Sequence, residues 1–206
     1  MEEQLYLEIP SEINNLQLPD PELLMYYKNL EKRHLWIDIS IDDGILGFTR
    51  QIMQWNEDDK GIPVEDRKPI HIYLQNGGGE ISYMWLLIDI MEMSKTPIYT
   101  VAMNVCASAA ALIFMCGKKR FMLKNSTLLI HEGSIATGEQ DAQKFFDTSE
   151  SYKKIIKKMK DFILSKTRID PKLLNKKRAN DWEIDADFCL ENGACDVIVS
   201  DIDEIL

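Results

Sequence analysis

Between residues 70 and 131 the apolar positions come in short runs broken by small residues, and that rhythm sets the expectation for the chain. Residues 70–75 read as a strand running into Asn76-Gly77-Gly78-Gly79. Residues 98–102 read as a second, leading into Cys106-Ala107-Ser108-Ala109-Ala110-Ala111, and residues 127–130 as a third that delivers His131. Ile81, Met84, Trp85, Ile88 and Met91 fall on one stripe of a helix expected over residues 80–94, and Ser108 opens another helix. Two strand–helix–strand units in a row imply parallel strands joined by right-handed crossovers, an α/β fold. Sites in such sheets form beyond the carboxyl ends of the strands, where both the glycines and Ser108 fall.

The flanks add further elements. Residues 1–18 are poorly periodic and are expected to form an N-terminal arm. Asp20-Pro21-Glu22 then marks a helix start, with a capping carboxylate and a proline in the first turn. Leu35, Ile37 and Ile39 alternate as in a half-buried strand, and Ile45, Phe48, Ile52 and Trp55 recur at helical spacing. Residues 56–68, with Gly61 and Pro63, read as a surface connection. Residues 138–167 read mostly as one long helix, with Phe145, Tyr152, Ile156, Met159 and Ile163 on one side and lysines on the other. It is longer than a core of this size needs, which predicts a protruding or interface helix. Asp185 reads as the cap of a short helix stopping at Gly193, and residues 195–199 as a last strand. One domain over residues 1–206 is expected.

Composition narrows the function classes. The 206 residues carry a formal net charge of -10, which phosphate backbones repel, so no nucleic-acid partner is expected. Residues 105–116 form the longest apolar run, too short to span a bilayer. The start, Met1-Glu2-Glu3-Gln4, lacks the pattern of a signal peptide. Cys106, Cys116, Cys189 and Cys195 show no CxxC spacing and read as reduced thiols of a cytoplasmic protein. His34, His71 and His131 lie far apart in sequence, so no metal and no cofactor are expected.

A glycine turn, a serine opening a helix and a histidine ending a strand are the parts acyl transfer requires. A serine hydroxyl becomes nucleophilic when an imidazole removes its proton, and a carboxylate orients that imidazole. Each part also has a plainer reading: Ser108 as a helix cap, His131 as a hydrogen-bonded structural residue, the glycines as a tight turn. The glycines lack dinucleotide-fingerprint spacing, yet they allow backbone N–H groups to converge on one site. Asp141, Asp147, Asp161, Asp170, Asp181 and Asp185 all follow His131, and spacing does not separate them. Asp185 has work as a cap, which slightly favours Asp181. Cys106 is a rival nucleophile, but its position two residues before the helix places it inside the strand end.

The strand–Gly-Gly turn, the Ala107-Ser108 turn before a helix and Asn125-Ser126-Thr127-Leu128-Leu129-Ile130-His131 resemble the Clp protease proteolytic subunit (ClpP) family. The resemblance covers residue 27 to the C-terminus. It implies a ClpP/crotonase-like fold of repeated βαβ units with a protruding handle helix, here residues 134–167. It places the family's serine, histidine and aspartate on Ser108, His131 and Asp181, and its oxyanion donors on Gly78 and Ala109. It further implies an endopeptidase of seven-membered rings stacked back to back, taking unfolded polypeptide from an AAA+ ATPase. Four positions depart from the family's pattern: Gly77 stands for a proline, Ala110 for a glycine, and Glu132-Gly133 for Gln-Pro. Rival readings are a weakly active scaffold subunit, an acyl-CoA enzyme of the crotonase type, and an ATPase-independent peptidase such as one of viral capsid maturation.

Overall fold

A computed structural model describes residues 20–134 and 141–206; the expected arm (1–18) and the start of the expected handle region (135–140) lie outside the described residues. By its contacts the chain divides after Lys32. The described part of the first unit is helix α1 (Pro21–Lys32). Its start is the one the sequence announces, with Asp20 Oδ1 accepting from Glu22 N–H at 2.9 Å.

The second unit, residues 33–206, is built on a seven-stranded sheet. Strands β1 (His34–Ile37), β2 (Ile70–Asn76), β3 (Ile98–Ala107), β4 (Lys119–Leu123) and β7 (Val197–Val199) run parallel in that spatial order. Strand β5 (Thr127–Ile130) pairs parallel with the far end of β3, and β6 (Trp182–Asp185) pairs antiparallel with β5. Helices α2 (Ile45–Asp58), α3 (Ile81–Met93), α4 (Ala109–Cys116) and α5 (Ala142–Lys166) follow one another in contact. Two short helices complete the set among the described residues, α6 (Pro171–Lys177) and α7 (Ala186–Glu191).

Strand β3 explains how one sheet builds a site. Residues 99–102 pair with β4, whereas residues 105–107 pair with β5. Between them the register against β2 shifts, from Leu74↔Ala102 to Asn76↔Cys106, and Asn104 takes a positive φ of 60°. An irregularity of this kind bends a strand and lets it change partners. Helix α4 follows at once, apolar all round and buried from Ala109 to Met115, as a helix enclosed on every side must be.

The structure extends the second expected strand from residue 102 to residue 107. It also adds two strands that the pattern does not announce, β4 and β6. Strand β4 begins with two charges and then runs apolar without alternation. Four-residue β6 merges into the capped helix at Asp185, whose side chain accepts from Phe188 N–H as expected.

Candidate active site

Ser108 occupies the junction of β3 and α4 with φ 56° and ψ −122°. A serine held there has left the extended conformation of an ordinary cap, and its side chain makes no cap hydrogen bond. The plain helix-cap reading therefore fails. Such backbone costs on the order of 1–3 kcal/mol and persists only where the surroundings enforce it. Ser108 is half-buried at a sharp strand-to-helix elbow, the kind of turn used by hydrolases with a nucleophilic serine. The Ser108 N–H donates to the Leu129 carbonyl at 2.8 Å, so the elbow is fastened to the strand that ends in His131.

The β3–β5 ladder runs to Ala107↔Leu129, and the β5–β6 ladder to Ile130↔Trp182. One step further along the second ladder, His131 faces Asp181. There His131 Nδ1 meets Asp181 Oδ1 at 3.1 Å. Nε2 of the same ring is buried and without a hydrogen-bond partner among the described residues. The Ser108–His131 hydrogen bond is thus not made in this conformation, although both residues line one cavity of about 130 Å³. Gly79, Ala109 and Met159 line it as well. Two larger cavities, of about 490 and 500 Å³, contain neither residue, and convergence of reactive groups rather than volume locates the site.

The glycine turn differs in detail from expectation. The Gly78 N–H donates to Asn76 Oδ1 at 2.7 Å and is already engaged. Gly79 lines the cavity, its N–H has no partner among the described residues, and its neighbours Gly78 and Glu80 bond to Ile41 on either side. Gly78 is needed for a different reason. Its φ is 102°, and a Cβ there would lie 2.8 Å from Ser108 Cβ and 2.9 Å from the Ala107 carbonyl. Ala109 N–H opens α4 with no capping side chain, beside the same serine. Gly79 was within reach of the sequence as one of three glycines; which amide is spent locally depended on the Asn76 side chain.

Cys106 is fully buried, its thiol donates to the Leu74 carbonyl at 3.2 Å, and burial pushes its pKa up to about 12. It is no rival to Ser108. Glu132 and Gly133 follow His131 directly; Glu132 Oε1 lies 2.5 Å from Arg178 Nη1, an ion pair without an aligned hydrogen bond. Among the described residues no helix is long and apolar enough to cross a membrane.

The sequence model of the Clp protease family matches residues 25–201. The ATP-dependent Clp protease proteolytic subunit 2 of Treponema pallidum is 27% identical over 180 residues, 84% of each chain. The corresponding subunit of Streptococcus uberis is 29% identical over 139 residues, covering 66% of this chain and 70% of its own. A solved structure of a ClpP1 mutant from Listeria monocytogenes superposes with a TM-score of 0.75 at 17% identity, covering 88% of this chain and 99% of its own, which shows a shared fold. With the family model spanning most of the chain and the strand–elbow–helix arrangement in place, this chain belongs to the Clp protease family, a family of serine-type endopeptidases.

Proposed function

We propose that Ser108 is the nucleophile of a peptidase, His131 its general base and Asp181 the carboxylate that orients the imidazole. The observation that carries this reading is the junction of two ladders, which sets Ser108 and His131 on one cavity and His131 Nδ1 against Asp181. In the reaction Ser108 Oγ attacks the peptide carbonyl while His131 Nε2 takes its proton and returns it to the leaving amine. Water then repeats the sequence on the acyl-enzyme. The Ala109 N–H and, in place of Gly78, the Gly79 N–H serve the oxyanion, a contribution of about 3–4 kcal/mol for one good donor. The Ser108–His131 bond closes on substrate binding, since catalytic hydrogen bonds are often long before the complex forms.

The substrate class is unfolded polypeptide. The assembly is a set of heptameric rings, stacked through the long helix, that enclose the site in a chamber fed by an AAA+ ATPase in the cytoplasm. The likeness to ATP-dependent Clp subunits supports this part. A second reading, a weakly active scaffold subunit, draws on the unmade Ser108–His131 bond.

A fluorophosphonate probe and short fluorogenic peptides test the site. Wild-type protein is expected to be labelled stoichiometrically and to cleave peptides, and Ser108→Ala to do neither while keeping its molar mass. Labelling that persists in Ser108→Ala overturns the assignment. Labelling without turnover favours the scaffold subunit.

A further inference from the structure

We propose that Glu132 and Arg178 form a clamp that positions His131 against Asp181; the proposal rests on the reading of those two residues given above. The His131–Asp181 pair sits one step past the last rung of the β5–β6 ladder, and among the described residues β6 pairs with β5 alone. The Asp181 side chain is 73% exposed and the His131 side chain 31%. A pair at the open end of such a ladder frays unless something beyond it holds the two chains together.

What lies beyond is specific. The next position on the β5 side is Glu132, and its N–H donates to the Arg178 carbonyl at 3.0 Å rather than continuing the ladder to Asn180. Its carboxylate lies 2.5 Å from the Arg178 guanidinium, so the two residues are joined through backbone and side chain at once. On a third side, the Tyr152 hydroxyl of α5 donates to the Glu132 carbonyl at 2.7 Å. Arg178 caps the C-terminus of α6, which is anchored by fully buried Leu174, and it precedes Asp181 by three residues. Thus β5, α5 and α6 are locked together one residue from the imidazole, and the short run from Arg178 to Asp181 inherits that position. The guanidinium also offsets the carboxylate set beside the base by Glu132. Neither residue touches the reacting atoms; both are positioning residues.

The test compares Arg178→Gln, Glu132→Gln, the double variant and the charge-reversed pair (Glu132→Arg with Arg178→Glu), with Arg178→Lys as the conservative control. Each single variant is expected to lower kcat by about tenfold or more, as displacement of a catalytic group does, with KM within about twofold. The double variant is expected to be no worse than the more damaged single, and Arg178→Lys to retain most of the activity. A crystal structure of Arg178→Gln supplies the readout that does not depend on turnover. It is expected to show the β5–β6 ladder intact and His131 Nδ1 moved out of hydrogen-bonding range of Asp181 Oδ1. An unchanged Nδ1–Oδ1 distance, or activity losses that simply add in the double variant, overturns the clamp. If wild-type protein cleaves nothing, the reading of the triad fails, and the crystal structure still decides the clamp.

Discussion

At the scale of single residues, the site depends on two backbone conformations that side chains disfavour, those of Ser108 and Gly78. Ser108 holds φ 56° because its N–H is taken by Leu129 and because Gly78, lacking a Cβ, lets the elbow approach. Asn76 completes the arrangement: its amide nitrogen donates to the Ile39 and Ile37 carbonyls and its oxygen accepts from Gly78. One buried side chain thereby ties the glycine turn to the loop after β1. Gly78→Ala is expected to cost about 2–3 kcal/mol in stability, from positive φ and a methyl group against Ser108, and to remove most peptidase activity. Gly77→Ala is the control, since a Cβ there meets nothing within 4 Å. Thermal melts and peptide cleavage of the two variants check the contrast.

At the scale of elements, the parallel strands must be held at their entry ends as well as at the site. Arg33, ahead of β1, makes a two-pronged contact with Asp59 at 2.7 Å for each bond, and the Thr96 hydroxyl donates to the same carboxylate at 2.7 Å. Asp59 is 2% exposed and caps α2, so the cluster joins β1, α2 and the loop entering β3. The Arg33 hydrogen bonds hold the Asp59 pKa below its ordinary 3.8, against the opposing effect of burial. A carboxylate with a depressed folded pKa contributes stability that is present above its unfolded pKa and lost as pH falls through the folded one. The stability difference between wild type and Asp59→Asn is therefore expected to be largest near neutral pH and to shrink as the pH drops below about 3.8. Urea midpoints measured across that range test it. Arg33→Met, which strands the carboxylate, is expected to cost about 3 kcal/mol at pH 7.

At the scale of the whole molecule, the long helix leaves apolar surface uncovered. Over the 25 residues of α5 only Met159 and Ile163 are buried, while Phe145 and Phe146 near its start are 49% and 62% exposed. Adjacent exposed aromatics on a helix that has already met its core leave apolar surface that a partner could cover. If α5 joins rings, Phe146→Glu is expected to lower the molar mass in solution by about half while leaving the fold and each ring intact, since a buried charge opposes association. Light scattering on wild type and variant reads this directly. A wild-type mass equal to the 23.8 kDa of one chain would contradict the chamber.

The sequence by itself determined what depends on neighbours along the chain. The alternation of β1, the stripe of α3, the cap at Asp185 and the small-residue turn at Ser108 are local, so propensity and periodicity reveal them. That Ser108 and His131 end adjacent units followed from the same local grammar. The tertiary structure alone decided matters set by register between distant segments. It made residues 182–185 an antiparallel partner of β5, which brings Asp181 rather than any other downstream carboxylate to His131. It engaged the Gly78 amide with Asn76 and set Gly79 on the wall of the cavity. It placed Arg178 on Glu132 across 46 residues of chain, and it drew the charged start of β4 into the sheet. The reason is physical: a turn or a stripe is fixed by a few successive dihedrals and side chains. Which strand pairs with which, and in what register, is fixed by packing that no short window contains.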